Sequence, residues 1–119
     1  MTINTKDRLL DAAERLFADK GYSATSLRDI TQKAEVNLAA VNYHFGTKEA
    51  LLSAALERRF DPVNRKRLEL LDAAEAEAGN QPLELEAVLR AFLAPPFQKR
   101  QEWGEAGVKF MQMVGRMYS

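Results

Sequence analysis

Cysteine is absent from this 119-residue chain, which excludes disulfides and thiolate chemistry and fits a reducing compartment. Histidine occurs once, at His44, too few for a histidine-based zinc site, which needs several nitrogen or sulfur ligands. No Ser/His/Asp set, paired-carboxylate constellation or glycine-rich phosphate loop stands out, so the reading is of a non-enzyme with no cofactor and no metal. No apolar run reaches spanning length, and the opening MTINTKDRLL turns charged too early for a secretory leader, so a soluble cytoplasmic protein without a membrane partner is expected. Neither sign of charge is in excess: 17 basic residues face 17 acidic ones. The first sixty residues are nearly balanced too. Bulk charge therefore gives no support for a nucleic-acid partner, and any such case rests on where individual charges sit. What is present is a globular composition, 46% hydrophobic and 29% charged, sized for one domain or one small domain plus part of another.

The periodicity is helical throughout, and an all-α fold is expected. Leu9, Ala13, Leu16 and Phe17 form an apolar stripe ending at Lys20. Asn4 or Thr5 serves as its cap, and Gly21 stops it. Ser26 followed by Asp29 resembles a capping box, with Asp in place of the usual Glu, and opens a short helix over Leu27 to Ala34. Asn37 caps a third helix, Leu38 to Phe45, whose buried face is Val41 and Phe45. Gly46 ends that helix, and Thr47 caps a fourth beginning at Lys48, with Leu51, Leu52, Ala55, Leu56 and Phe60 inward. Pro62 is expected to break or kink the fourth helix near Asp61, because proline removes a hydrogen bond and clashes with the preceding turn. A helical stretch follows to Gly79. Another carries Leu85, Val88, Leu89, Phe92 and Leu93 on one side, and Pro95 and Pro96 are expected to terminate it. The last segment, from Val108 through Met117, is strongly apolar. It reads as a helix cut off from its partners, which suggests a domain boundary at residues 60 and 61 with a partial domain over 61–119.

The stretch VNLAAVNYHFGTKEAL crowds three rings beside two alanines and follows them with a cation. Two helices joined by the tight turn AEVN form a helix-turn-helix, and the second of the pair is the one that enters a major groove. Leu38, Ala39 and Asn42 then fall on its exposed side near the N-terminal end, where base edges are read. Small side chains at Ala39 and Ala40 let the backbone come close to DNA, and Asn42 suits adenine's N6/N7 edge. Tyr43 and His44 offer a hydroxyl and a ring N–H to phosphates. Lys48 sits at a helix N-terminus that already favours anions, and Thr25 and Ser26 do so at the start of the second helix. Arg28 is either a solvated helix charge or a further DNA contact. With the cap Asn37, the candidate DNA-binding set is Thr25, Ser26, Arg28, Asn37, Leu38, Ala39, Ala40, Asn42, Tyr43, His44 and Lys48.

TSLRDITQKAEVNLAAVNYHFGTKEALL resembles the DNA-binding region of the TetR-type bacterial transcriptional regulators. The motif is a Tyr-x-Phe end to the recognition helix, a one-residue spacer, then Thr-Lys-Glu and leucine. The resemblance covers roughly residues 5 to 60. It implies an N-terminal helix-turn-helix domain over 1–60 and a helical regulatory domain of which 61–119 is a part. It further implies a homodimer that binds double-stranded DNA at a palindromic operator, and a small-molecule effector that releases it, as in a ligand-responsive repressor. Glu35 stands where the family's turn usually has glycine, Thr31 where alanine is frequent, and Asn42 where a ring is common. The alternative from a different class is a helical adaptor that uses its apolar C-terminal helices to hold a protein partner.

Overall fold

The computed structural model describes residues 4–117, and within them it is all-α, with six helices and no strand. These are α1 (Thr5–Lys20), α2 (Leu27–Ala34), α3 (Leu38–His44), α4 (Lys48–Ala78), α5 (Leu85–Trp103) and α6 (Glu105–Met117).

Local chemistry sets the helix starts. The Asn4 side chain accepts from the Asp7 amide at 2.8 Å, Asn37 from Ala40 at 3.1 Å, and Thr47 from Ala50 at 3.0 Å. At α2 the capping box is complete. The Asp29 amide donates to Ser26 Oγ at 3.0 Å, and the Ser26 amide donates to Asp29 Oδ2 at 3.0 Å. These bonds satisfy N–H groups that a helix start leaves without partners.

The core lies among α1, α2, α3, the first turns of α4, and α6. Leu9, Ala13 and Phe17 of α1 meet Ile30 and Ala34 of α2, Val41 of α3, Leu51 and Ala55 of α4, and Phe110 and Met113 of α6. Full burial of each large apolar side chain is worth about 1.5–3 kcal/mol, which lets helices as short as α2 and α3 persist. Phe45 is half-buried against this core as the residue that caps α3, one position beyond the observed helix, which was expected to include it.

Three expectations are corrected. Pro62 does not break α4, which runs unbroken from Lys48 to Ala78. Val63 is buried beside it, and Arg58 and Arg59 one turn earlier are tied to α1, so tertiary contacts on both sides hold the helical path. Likewise Pro95 and Pro96 lie inside α5. Proline at 96 deprives the Phe92 carbonyl of its helical donor, and Arg67 Nε of α4 supplies one at 2.9 Å, with its guanidinium 4.1 Å from the Phe92 ring centre. Finally, α6 is not without partners, because it packs more extensively against α1 than any other pair of helices pack. Phe110 and Met113 enter the core, and Lys109 pairs with Asp19 at 2.6 Å. Its outer face keeps Val108, Met111 and Met117 exposed, so of the last three methionines only Met113 is a core residue.

The division expected at residues 60 and 61 falls within α4. Beyond the head, α4 and α5 pair as a hairpin in a molecule measuring 56 × 30 × 25 Å. The apolar side of α5 predicted from the sequence faces outward there, with Leu85, Val88, Leu89, Phe92 and Leu93 exposed. Where α6 turns back against α5, a Cβ at Gly107 would sit 2.9 Å from the Arg100 carbonyl oxygen, so glycine lets the two backbones approach.

Candidate nucleic-acid interface

The second and third helices are joined by a Schellman-type turn. The Val36 amide donates to the Thr31 carbonyl at 3.0 Å, and the Glu35 amide donates to the Gln32 carbonyl at 3.3 Å. This places Glu35 in the left-handed region, with φ 59° and ψ 47°, and it is the one non-glycine at positive φ among the described residues. Its carbonyl accepts from Arg8 Nη2 at 3.3 Å, and its carboxylate lies 3.7 Å from the same group, an exposed contact worth little. Glu35→Gly is therefore expected to raise stability by about 1 kcal/mol, seen as a higher urea midpoint at unchanged slope. A lower midpoint would mean that the Arg8 contacts outweigh the backbone strain.

The turn presents α3 with one face in and one face out. Val41 is fully buried, while Leu38, Ala39, Asn42, Tyr43 and His44 are exposed, Tyr43 at 85%. The neighbouring rings pack on one another: Tyr43 meets His44 edge-on at 5.0 Å, and His44 tilts against Phe45 at 6.1 Å. Phe45 anchors this row to the core, and the two polar rings extend from it into solvent.

Lys48 joins the parts. Its Nζ donates to the Tyr22 carbonyl at 2.8 Å and the Thr25 carbonyl at 2.9 Å, and it stands 4.1 Å from the Tyr22 ring centre. Thr25 directly precedes the Ser26 cap of α2, and Lys48 is the first residue of α4. The contact therefore brings the N-termini of α2 and α4 next to each other. Each N-terminus carries a partial positive charge and amides without helical partners, which Asp29 of α2 and Glu49 of α4 offset in part in the first turns.

Two candidate residues have different tasks from those expected, and a third is partly committed elsewhere. The Thr25 side chain is buried, and its hydroxyl contacts the Gly21 carbonyl at 2.8 Å and the Leu16 carbonyl at 3.3 Å, so it closes the α1–α2 loop instead of facing an anion. Ala40 is half-buried against the core, because it falls on the Val41 side of α3. Lys48 is not a free cation, since two of its three donors are spent on loop carbonyls and one is left. Asn37 and Ser26 are exposed but use their side-chain oxygens as caps, and Arg28 is an exposed cation on α2.

The Asp29 carboxyl of the capping box is pulled down from 3.8 to about 2. The Ser26 amide contributes most, then Lys20 and the Ser26 hydroxyl. Because the folded value is the lower one, the contribution of this cap is complete above the ordinary value and fades only as pH falls toward 2. Sequence reading missed Tyr22, which no spacing rule links to a lysine 26 residues away.

A helix-turn-helix with an exposed second helix and two helix N-termini at its edge belongs to a DNA-binding class of fold. Residues 9–55 match the family described as "Bacterial regulatory proteins, tetR family". A probable HTH-type transcriptional regulator, YttP, of Bacillus subtilis (strain 168) is 42% identical over 65 residues, covering 55% of this chain and 31% of that protein. The biofilm operon icaADBC HTH-type negative transcriptional regulator IcaR of Staphylococcus aureus (strain Newman) is 36% identical over 59 residues, covering 50% of this chain and 32% of that protein. Residues 9–55 are thus similar to the N-terminal domain of the tetR family, and the matched relatives carry the names of transcriptional regulators. The chain spans about a third of the length of these curated relatives.

Proposed function

We propose that this chain reads double-stranded DNA in a sequence-specific way and acts as a transcriptional repressor, as the name of IcaR, a negative transcriptional regulator, says of that protein. The observation that carries this reading is the Lys48 contact, which sets the N-termini of α2 and α4 side by side next to the outward face of α3. Phosphates suit the two helix starts with Ser26, Arg28, Tyr43, His44 and the remaining Lys48 donor, while Leu38, Ala39 and Asn42 suit base edges. The division of labour is residues 1–60 for DNA and 61–119 for a helical regulatory part, with α4 shared between them. The working form is a homodimer on a palindrome, because two heads about 34–36 Å apart engage both half-sites and the second contact becomes intramolecular. A small-molecule effector acting on the regulatory part relieves repression. Among the described residues no helix is long and apolar enough to cross a membrane, and the proposed work on operator DNA places the protein in the cytoplasm.

Lys48→Ala tests the proposed phosphate contacts. Binding should weaken about equally for all duplexes, and the slope of log affinity against log salt should fall by roughly one unit. The variant should also melt earlier, since two loop hydrogen bonds are lost, by about 0.5–1.5 kcal/mol each. An unchanged salt slope in anisotropy titrations would remove the phosphate role. The exposed side of α5 is what an adaptor would use. Specific binding to a duplex with a steep salt slope separates the two readings, because an adaptor has no reason to show it.

A further inference from the structure

A cavity of about 170 Å³ lies between α4, α5 and α6. Its size is close to the roughly 150 Å³ of an apolar cavity that takes up benzene. Phe60, Val63, Trp103 and Phe110 give it apolar walls, yet three arginines, Arg59, Arg67 and Arg100, also line it, and no aspartate or glutamate does. Two of the three are committed. Arg59 grips Glu14 through two hydrogen bonds of 2.9 Å, and Arg67 donates Nε to the Phe92 carbonyl and Nη1 to Asn64. Arg100 is exposed, and its guanidinium has no hydrogen-bond or ionic partner among the described residues.

We propose that this cavity binds a small organic carboxylate whose apolar body is about the size of one aromatic ring. The guanidinium fork of Arg100 matches a carboxylate with two parallel hydrogen bonds, and Arg67 adds positive charge nearby. The apolar walls take the body, and the absence of acidic groups removes competition for the arginines. The site rests on the regulatory reading only in that its occupant would be the effector; the binding itself stands on the cavity.

Trp103 is the single tryptophan of the chain and lines the cavity, so its emission reports on occupancy without a label. Benzoate and phenylacetate, titrated into the whole 119-residue chain without DNA, should change that emission saturably. Benzyl alcohol, similar in size but uncharged, should bind about tenfold or more weakly, and so should benzoate to the Arg100→Gln variant, whose fold is checked by circular dichroism. Arg100→Lys, which keeps the charge but loses the fork, should fall between. No saturable change with either acid at millimolar concentration would overturn the proposal. So would equal affinity for the alcohol, or an undiminished response in Arg100→Gln. As no DNA is present, a negative result leaves the DNA-binding reading standing, and a failure to bind DNA leaves this result intact.

Discussion

Glu14→Ala is expected to lower the unfolding free energy by about 3–5 kcal/mol, the largest stability effect of any single substitution considered for this chain. Glu14 lies on the inner side of α1 with its side chain 2% exposed, and Arg59 of α4 clasps it through Nε and Nη2, both at 2.9 Å. The same guanidinium stands 4.8 Å from the Trp103 ring centre on α5. Arg58 lies alongside, 2.7 Å from Asp11 and 3.6 Å from Glu14. Glu14 and Arg59 are thus buried together between α1 and the α4–α5 hairpin, while Asp11 and Arg58 extend the pair toward solvent. Removing Glu14 leaves Arg59 charged and buried without its partner, which costs far more than the pair contributes net. Replacing both partners by apolar residues, Glu14→Leu with Arg59→Met, should recover most of the loss. By contrast, breaking the exposed Arg90–Glu86 pair should change stability by about 0.5 kcal/mol or less. Urea unfolding of the three variants beside the unmodified chain checks the pattern. A Glu14→Ala loss no larger than that of the exposed pair would show that the Glu14–Arg59 pair is hydrated and its charges are not truly buried.

Ala39→Glu is expected to weaken DNA binding about a hundredfold or more while leaving the melting temperature nearly unchanged. Ala39 is exposed near the N-terminal end of α3, and on the proposed reading its small methyl group is what allows the helix close to base edges. A glutamate there is both bulkier and negative, facing groove acceptors and phosphates that repel it. The fold should tolerate it, since an acid in the first turn is favoured by the helix dipole. Asn42→Ala should act differently, costing about 1–3 kcal/mol and relaxing preference at one base pair only. Anisotropy titrations beside thermal melts separate the two effects. A large fall in stability would mean that the variant reports on folding, and unchanged affinity would take α3 out of the interface.

The parts of the fold that were legible in the sequence are those coded within a few residues. The caps Asn4, Ser26 with Asp29, Asn37 and Thr47 each reach an amide three positions on, so reading along the chain finds them. The outward set Leu38, Ala39 and Asn42 followed from the spacing that puts Val41 inside. What was hidden depends on distant partners. Proline carries a fixed local penalty, but only tertiary structure shows that Arg67 supplies the donor that Pro96 lacks. Glu14 left a faint signal, an acid four residues from Leu10 and four from Ala18 on a face that is otherwise buried. No spacing rule could assign it Arg59. Thr25 and Lys48 looked like surface groups because their partners, the carbonyls of Leu16, Gly21 and Tyr22, belong to the backbone, and backbone acceptors leave no trace in residue identity.

The central claim is that the outward face of α3 reads a DNA sequence. Selection from a pool of randomised duplexes, with unmodified chain and Ala39→Glu run in parallel, tests it most directly. The account predicts that the unmodified chain enriches a defined motif, that its affinity for that motif falls steeply with salt, and that Ala39→Glu enriches nothing. No enrichment by the unmodified chain, or the same motif recovered with Ala39→Glu, would contradict it.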